Sequence, residues 1–136
     1  GERGGIRIVR FRPDGTQFVS WGDDAVLRWW KSNGVLSSAV TLDLPGYATE
    51  ESKRPPFGYE TSQAFSPDAK SLFVVLDGQL FEYDTATGKR VRQSPIPKFT
   101  MPLAVSPDGR WIATGETRRD DKGDIVASAV ILRGRP

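Results

Sequence analysis

The chain has neither cysteine nor histidine among its 136 residues. Without cysteine it can form no disulfide bond and no thiolate metal site. Without either residue, the usual zinc sites, Ser-His and Cys-His nucleophile pairs, and any general base with an ordinary pKa near neutrality are excluded. These absences remove most enzyme classes. We expect no catalytic residue, no metal ligand and no cofactor in this chain.

Long apolar runs and a strong excess of one charge are also missing. No run approaches the ~18 apolar residues of a membrane helix, and the N-terminal "GERGG" lacks the apolar core of a signal peptide. The 19 basic and 17 acidic residues give a net charge of +2, which is not the concentrated basic footprint of a nucleic-acid-binding protein. We therefore expect a soluble protein with neither membrane nor nucleic acid as its partner. The compartment is left open, with the cytoplasm as the expectation.

Glycine and proline are plentiful instead, with 14 and 10 copies, and one corner occurs three times. It reads "FRPDG" at 11–15, "FSPDA" at 65–69 and "VSPDG" at 105–109. Proline presets φ for a type I turn, aspartate can bond back to the backbone, and glycine tolerates a positive φ. Each corner is thus predicted to be a tight turn, weaker in the second copy because Ala69 replaces glycine.

Short extended runs flank every corner. The run "SLFVVL" at 71–76 is apolar on both alternating faces, which predicts an internal strand covered on two sides. Asp77 and Gly78 then supply a two-residue hairpin turn before "QLFEYD" and "RVRQSPI". Four antiparallel strands per copy, without helical periodicity, predict an all-β repeat.

The spacing of the copies indicates the class of repeat. Phe65 follows Phe11 by 54 residues, and Val105 follows Phe65 by 40 residues. A period of about 40–45 residues with four strands is typical of a β-propeller blade. We predict one domain over 1–136 with blade-like repeats at 6–42, 60–96 and 102–133. An insertion loop at 43–59, rich in proline, glycine and charge, lengthens the first interval.

Two segments carry a family resemblance. The stretch "SWGDDAVLRWWKSNG" at 20–34 resembles the second half of a WD-repeat, and "DGQLFEYDTATGK" at 77–89 resembles the same segment. The family's Trp-Asp pair corresponds here to Trp30-Lys31 and Tyr83-Asp84, each of which keeps one member. The resemblance also implies a buried network of His, Asp, Ser or Thr, and Trp. Three of its roles match residues of the first copy, and the chain has no histidine for the fourth: the matches are Ser20, Asp23 or Asp24, and Trp30.

The number of copies raises the question of closure. Propellers close with about 4–8 blades, whereas this chain has about three, and the third has only three strands. An open stack would expose the apolar faces of its terminal blades and an unpaired strand edge. Two expectations remain open: the chain is a segment of a longer protein, or it closes with other copies of itself as a homo-oligomer.

The longest loops give the candidate binding surface. In a four-stranded meander, the second turn and the inter-blade loop emerge at the same end, so loops 43–59 and 115–124 are predicted to share one rim. Binding residues accumulate on such loops. Solvated loops without a partner are the equally weighted alternative. The predicted partner-binding residues are Lys53, Arg54, Phe57, Tyr59, Arg118 and Arg119.

The function expected from these features is a non-catalytic protein-interaction scaffold that holds another protein chain or adjoining domains. The alternative is a propeller module of an enzyme, peptidase-like or quinoprotein-like, whose active site lies outside this chain. Carbohydrate binding by exposed Trp and Tyr is a third reading. The four tryptophans are expected mainly to pack between blades.

Overall fold

The computed structural model describes residues 5–44, 62–76, 78–97 and 100–135, and over these ranges the protein is all-β. Its strands form three antiparallel meanders, each in sequence order. Sheet 1 contains β1 (Ile6–Phe11), β2 (Gln17–Gly22), β3 (Val26–Lys31) and β4 (Leu36–Thr41). Sheet 2 contains β5 (Ser62–Phe65), β6 (Ser71–Leu76), β7 (Gln79–Asp84) and β8 (Arg90–Pro95). Sheet 3 contains β9 (Thr100–Val105), β10 (Trp111–Arg119) and β11 (Ile125–Gly134). The predicted all-β class is confirmed.

The three corners adopt the same turn. In each, the residue at the glycine position donates its backbone N–H to the carbonyl three residues earlier at 2.9 Å. That residue has φ of 72° at Gly15, 63° at Ala69 and 75° at Gly109. Ala69 therefore holds a left-handed conformation that costs an L-residue about 1–2 kcal/mol. The predicted turn is confirmed at all three corners.

Aspartate and serine side chains complete two of the corners. Ser66 and Ser106 each donate a 2.6 Å hydrogen bond to the aspartate two residues later. Each serine Oγ also accepts a hydrogen bond of 3.0 Å from the backbone five residues on. In the first corner arginine replaces the serine, and Asp14 instead accepts from the backbone and the hydroxyl of Thr16. Each corner thus ties the first strand of its sheet to the second.

Strand β6 lies at the centre of the molecule, and all six of its residues are buried. Leu72 and Val74 belong to a core cluster shared with sheet 1, whereas Phe73 and Val75 belong to a second cluster shared with sheet 3. This alternation places sheet 2 between the other two sheets. The prediction that 71–76 is an internal strand covered on both faces is confirmed.

Neighbouring sheets meet along their first strands and through a few polar contacts. β1 lies beside β5, and β5 lies beside β9. Trp29 donates a buried hydrogen bond to the backbone carbonyl of Thr85, which joins sheet 1 to sheet 2. Arg135, directly after β11, donates to Ser71 Oγ at 3.0 Å and to Glu82 at 3.4 Å, which joins sheet 3 to sheet 2.

The hairpin of β10 and β11 departs from the sequence prediction. Residues 115–124 were predicted to be a loop, but backbone pairing continues to Arg118 opposite Ala127 and to Arg119 opposite Ile125. Strand pairing satisfies backbone groups whether or not the side chains are apolar, so the charged run does not interrupt it. The loop prediction for 115–119 is therefore wrong. The two strands have 9 and 10 residues, whereas no other described strand exceeds six.

Among the described residues no helix is present, and so none that could cross a membrane.

Candidate functional site

Backbone hydrogen bonds sort the turns of the three sheets into two rims. The segment after the fourth strand bonds the second turn, through Leu42 N–H to Ala25 and Ile96 N–H to Gly78. At the opposite end the third turn bonds the corner, as in Ser32 N–H to Thr16 and Thr85 N–H to Lys70. We call these ends the second-turn rim and the corner rim. The arrangement agrees with the predicted grouping of second turns and inter-sheet segments at one end.

The long hairpin projects at the second-turn rim and ends in a compact turn. Asp120 Oδ1 accepts hydrogen bonds from the backbone N–H groups of Lys122 and Asp124, both at 2.9 Å. Arg119 donates to the carbonyl of Gly123 at 2.8 Å. Asp120 is thus used within the turn. Among the described residues no group of three or more His, Cys, Asp or Glu could hold a metal ion.

A recess of about 500 Å³ lies beside this hairpin. One side is formed by Pro97, which follows the buried Ile96 at the end of sheet 2, and the other by the distal part of sheet 3. Ala127 and Ala129 are paired with Arg118 and Glu116 across the hairpin. Because alanine side chains are small, they leave this space open. The full lining is Pro97, Glu116, Thr117, Arg118, Arg119, Ala127, Ser128 and Ala129.

The charge of the recess is positive. Glu116 is paired with Arg133, so its carboxylate is already neutralised by a neighbour on the same sheet. Arg118 and Arg119 are both exposed at the lip. Arg119 is held by the turn, whereas Arg118 has no ion-pair partner within the part of the chain that the structure describes. A carboxylate of another molecule is the group that an exposed guanidinium pairs with best.

The structure brings two of the six predicted partner-binding residues together. Arg118 and Arg119 lie side by side at the recess. The other four, in the insertion loop, lie outside the described residues: Lys53, Arg54, Phe57 and Tyr59. Sequence reasoning missed Pro97, Ala127 and Ala129. The alternating small residues of "ASA" at 127–129, beside a charged strand, were the signal for the two alanines, and the sequence offers none for Pro97.

The residues matched to the WD-repeat network take partly different partners. Trp30 Nε1 donates to Ser20 Oγ at 3.0 Å, a link across β2 and β3. Asp23 pairs with Arg7 of β1 and accepts from the backbone of Gly5. Asp24 pairs with Arg28 at 2.7 Å. In this sheet, each of the two aspartates is paired with an arginine.

The matched residues of the second copy have structural roles. Tyr83 is buried, and its hydroxyl donates to the carbonyl of Asp43 at 2.9 Å, between sheets 2 and 1. Asp84 Oδ1 accepts from the backbone of Ala86 and Thr87, which closes the third turn. Gly78 has a φ of 74°, as a tight turn requires, while Asp77 lies outside the described residues.

No protein family model matches the chain.

Proposed function

We propose that the chain is a set of WD-repeat-like β-propeller blades that acts as a non-catalytic interaction scaffold, and that it binds an extended acidic segment of another protein chain at the second-turn rim. The observation that carries the proposal is the recess beside Arg118 and Arg119. The absence of both cysteine and histidine from the sequence supports a binding role over a catalytic one.

The propeller reading is supported by the repetition of one unit. Three consecutive meanders begin with the same corner, and their first strands lie beside one another. Blades of a propeller are four-stranded sheets arranged around a central channel. The Ser20–Trp30 hydrogen bond supports the WD-repeat resemblance, because it joins two of the residues that the resemblance pairs.

The ligand class follows from the chemistry of the recess. Apolar walls from Pro97, Ala127 and Ala129 favour small aliphatic side chains, and the exposed Arg118 at the lip favours a carboxylate. In an extended peptide of alternating alanine and glutamate, the alanines lie on one face, where they can meet the apolar walls, and the longer glutamate side chains lie on the other, from which they can reach the arginine at the lip. Complementary charge at such a rim mainly raises the association rate and the specificity.

The test is fluorescence anisotropy with two labelled peptides, an alternating Ala-Glu peptide and the matching Ala-Lys peptide. The protein should bind the acidic peptide and not the basic one. Reversing Arg118→Glu and Arg119→Glu together should weaken acidic binding about tenfold or more, and the remaining affinity should depend less on salt. The midpoint of thermal unfolding should hardly change, because exposed charges contribute little to folding.

The matched control reverses two exposed charges on the corner rim, Lys70→Glu and Lys89→Glu. This control should bind the acidic peptide like the unmodified protein, since the change in net charge is the same but the location differs. Equal losses in both double variants would show that only net charge matters. No binding of the acidic peptide to the unmodified protein would overturn the proposed ligand class.

A further inference from the structure

Each described sheet has two faces, and the strand register shows which residues lie on each face. We call the side that is turned toward the preceding sheet the leading face, and the side turned toward the next sheet the trailing face. In sheet 2 the leading face carries Phe65, Leu72 and Tyr83, which are paired across the strands and buried against sheet 1. The trailing face carries Phe73 and Val75, buried against sheet 3.

The leading face of sheet 1 has the same pattern of residues but no sheet in front of it among the described residues. Phe11, Phe18 and Trp30 occupy the register positions of Phe65, Leu72 and Tyr83. Their rings form a ladder, with centroids 5.1 Å apart from Phe11 to Phe18 and 6.1 Å apart from Phe18 to Trp30. Phe11 is 56% exposed, whereas its counterpart Phe65 is 7% exposed.

The trailing face of sheet 3 is the opposite end of the stack that the structure describes. Ile112 belongs to the core shared with sheet 2, so its neighbour Ala113 points away from that core. Leu132 is paired with Ala113, and Val130 with Gly115, on this outward side. Leu132 is 63% exposed and Val130 is 84% exposed.

The two end faces differ in the size of their side chains. One presents an aromatic ladder, and the other presents the small residues Ala113 and Gly115, bordered by the 45% exposed Trp111 and by the aliphatic side chains of Val130 and Leu132. Large side chains opposite small ones interdigitate, which is how packed layers fill space. The half-buried Asp24 and Arg28 of sheet 1 are paired with each other, so covering this pair would not bury either charge without its partner.

We propose that the trailing face of sheet 3 packs on the leading face of sheet 1 of a second copy of this chain. Leading faces meet trailing faces at both sheet-to-sheet interfaces inside the chain, and the same kind of contact recurs between copies. An interface between two unlike patches of one molecule is heterologous, and it forms a closed ring when the rotation permits. Two copies would join through two identical junctions into a ring of six sheets, within the range of about 4–8 blades at which propellers close.

The test measures mass by sedimentation equilibrium over a concentration series. The unmodified protein should sediment at twice the 15.0 kDa mass of the chain. Phe11→Asp on the leading face and Val130→Asp on the trailing face should each sediment as monomers, because a carboxylate would be buried at both junctions. Both sites are exposed within one copy, so each variant should keep its fold, as circular dichroism would verify. Val91→Asp is the control: it is equally apolar and 51% exposed, but on the edge strand β8.

Mixing the two monomeric variants distinguishes this junction from other dimers. The trailing face of Phe11→Asp and the leading face of Val130→Asp are both intact, so the mixture should regain dimers through one junction, weaker than the original. A contact between two like faces would not be restored by mixing. Failure to recover dimers, a monomeric unmodified protein, or dimers that persist in the single variants would each overturn the proposal.

This inference shares the stacked-sheet arrangement of the proposed function, but it does not use the recess. Arg118→Glu with Arg119→Glu should therefore leave the sedimenting mass unchanged while acidic-peptide binding falls. An unmodified protein that is dimeric but does not bind the acidic peptide contradicts the proposed ligand alone, and an unmodified protein that binds the peptide but is monomeric contradicts the head-to-tail junction alone.

Discussion

The indole N–H of Trp29 donates a buried hydrogen bond of 2.9 Å to the backbone carbonyl of Thr85, 56 residues away in the neighbouring sheet. An equivalent contact joins sheets 2 and 3, as the strand register shows. Glu82 occupies the position in sheet 2 that Trp29 occupies in sheet 1, and it meets Arg135 of sheet 3. Both interfaces are thus closed at the same place, where a side chain of β3 or β7 reaches the segment that follows the third strand of the next sheet. The chemistry of the contact differs between the two copies, but its location does not.

Trp29→Phe should destabilise the protein by about 2–4 kcal/mol, because it leaves the buried carbonyl of Thr85 without its donor and opens a small cavity. The substitution also removes the indole over which the Arg12 guanidinium lies at 4.4 Å. Urea unfolding followed by circular dichroism measures the change. Trp30→Phe, whose indole bonds within its own sheet, is the control at the same protein concentration, and it should cost about 1 kcal/mol. Equal costs for the two would mean that the inter-sheet bond adds nothing.

Gly88 and Gly15 provide a matched pair for the contact between sheets. Both have a φ of +72°, so alanine at either position meets the same backbone strain. A Cβ at Gly15 would meet no atom within 4 Å, whereas at Gly88 it would lie 2.7 Å from Val40 Cγ2 of sheet 1. Gly15→Ala should therefore cost about 1 kcal/mol, and Gly88→Ala should cost about 1–3 kcal/mol more from overpacking.

Thermal and urea unfolding of these two glycine variants would measure the difference. Similar costs at the two positions would mean that sheet 1 moves away from the third turn of sheet 2 without penalty. Such a result would contradict tight packing of Val40 against that turn.

Much of the fold could be predicted because its determinants are local. Pro-Asp-Gly specifies a corner within five residues, and the doubly apolar alternation of 71–76 specifies a strand covered on both faces. The bond from Arg135 to Ser71 could not be predicted, since it spans 64 residues and depends on how two sheets meet. The extension of strand β10 to Arg119 was not predicted, because a run of charged residues is typical of a loop and the sequence alone does not show the backbone pairing. The recess beside this hairpin depends on the alanines at 127 and 129. Their contribution could not be predicted, because it depends on their pairing with Arg118 and Glu116 across the hairpin.

The corner aspartates should make the protein sensitive to acid. The hydroxyl of Ser106 and the backbone N–H of Arg110 lower the pKa of Asp108. The backbone N–H and the hydroxyl of Thr16 lower the pKa of Asp14. For Asp68, partial burial acts in the opposite direction, but the bonds from Ser66 and Lys70 outweigh it, so its pKa is lowered as well. Their stabilising contribution is therefore complete above the ordinary value of 3.8 and is lost as the pH falls below it.

The measurement is urea unfolding at a series of pH values from neutral to strongly acidic. The triple variant Asp14→Asn, Asp68→Asn and Asp108→Asn should be less stable at neutral pH but should lose less stability on acidification. Asp121→Asn, which removes an exposed carboxylate outside the corners, is the control for the loss of a negative charge. A triple variant that keeps the full acid slope would show that other carboxylates control it.

Tyr83 should control stability at the alkaline end. Burial between sheets 1 and 2 raises its pKa to about 12, even though the nearby Arg90 acts in the opposite direction. In the unfolded chain this phenol loses its proton near the ordinary value of 10. The folded state therefore holds more protons between these values, and the free energy of unfolding must fall as the pH rises through that window.

Tyr83→Phe removes this titration together with the hydrogen bond to Asp43, so it should cost about 1 kcal/mol at neutral pH. Between pH 10 and about 12, the variant should lose less stability than the unmodified protein, and the two unfolding curves should converge. All other ionisable groups are the same in both proteins, so the difference between the two curves reports on Tyr83. The ultraviolet absorbance of phenolate gives an independent reading, because one tyrosine should ionise only as the protein unfolds. If every tyrosine of the folded protein ionises near pH 10, the phenol of Tyr83 is in contact with water, and its placement between the two sheets is wrong.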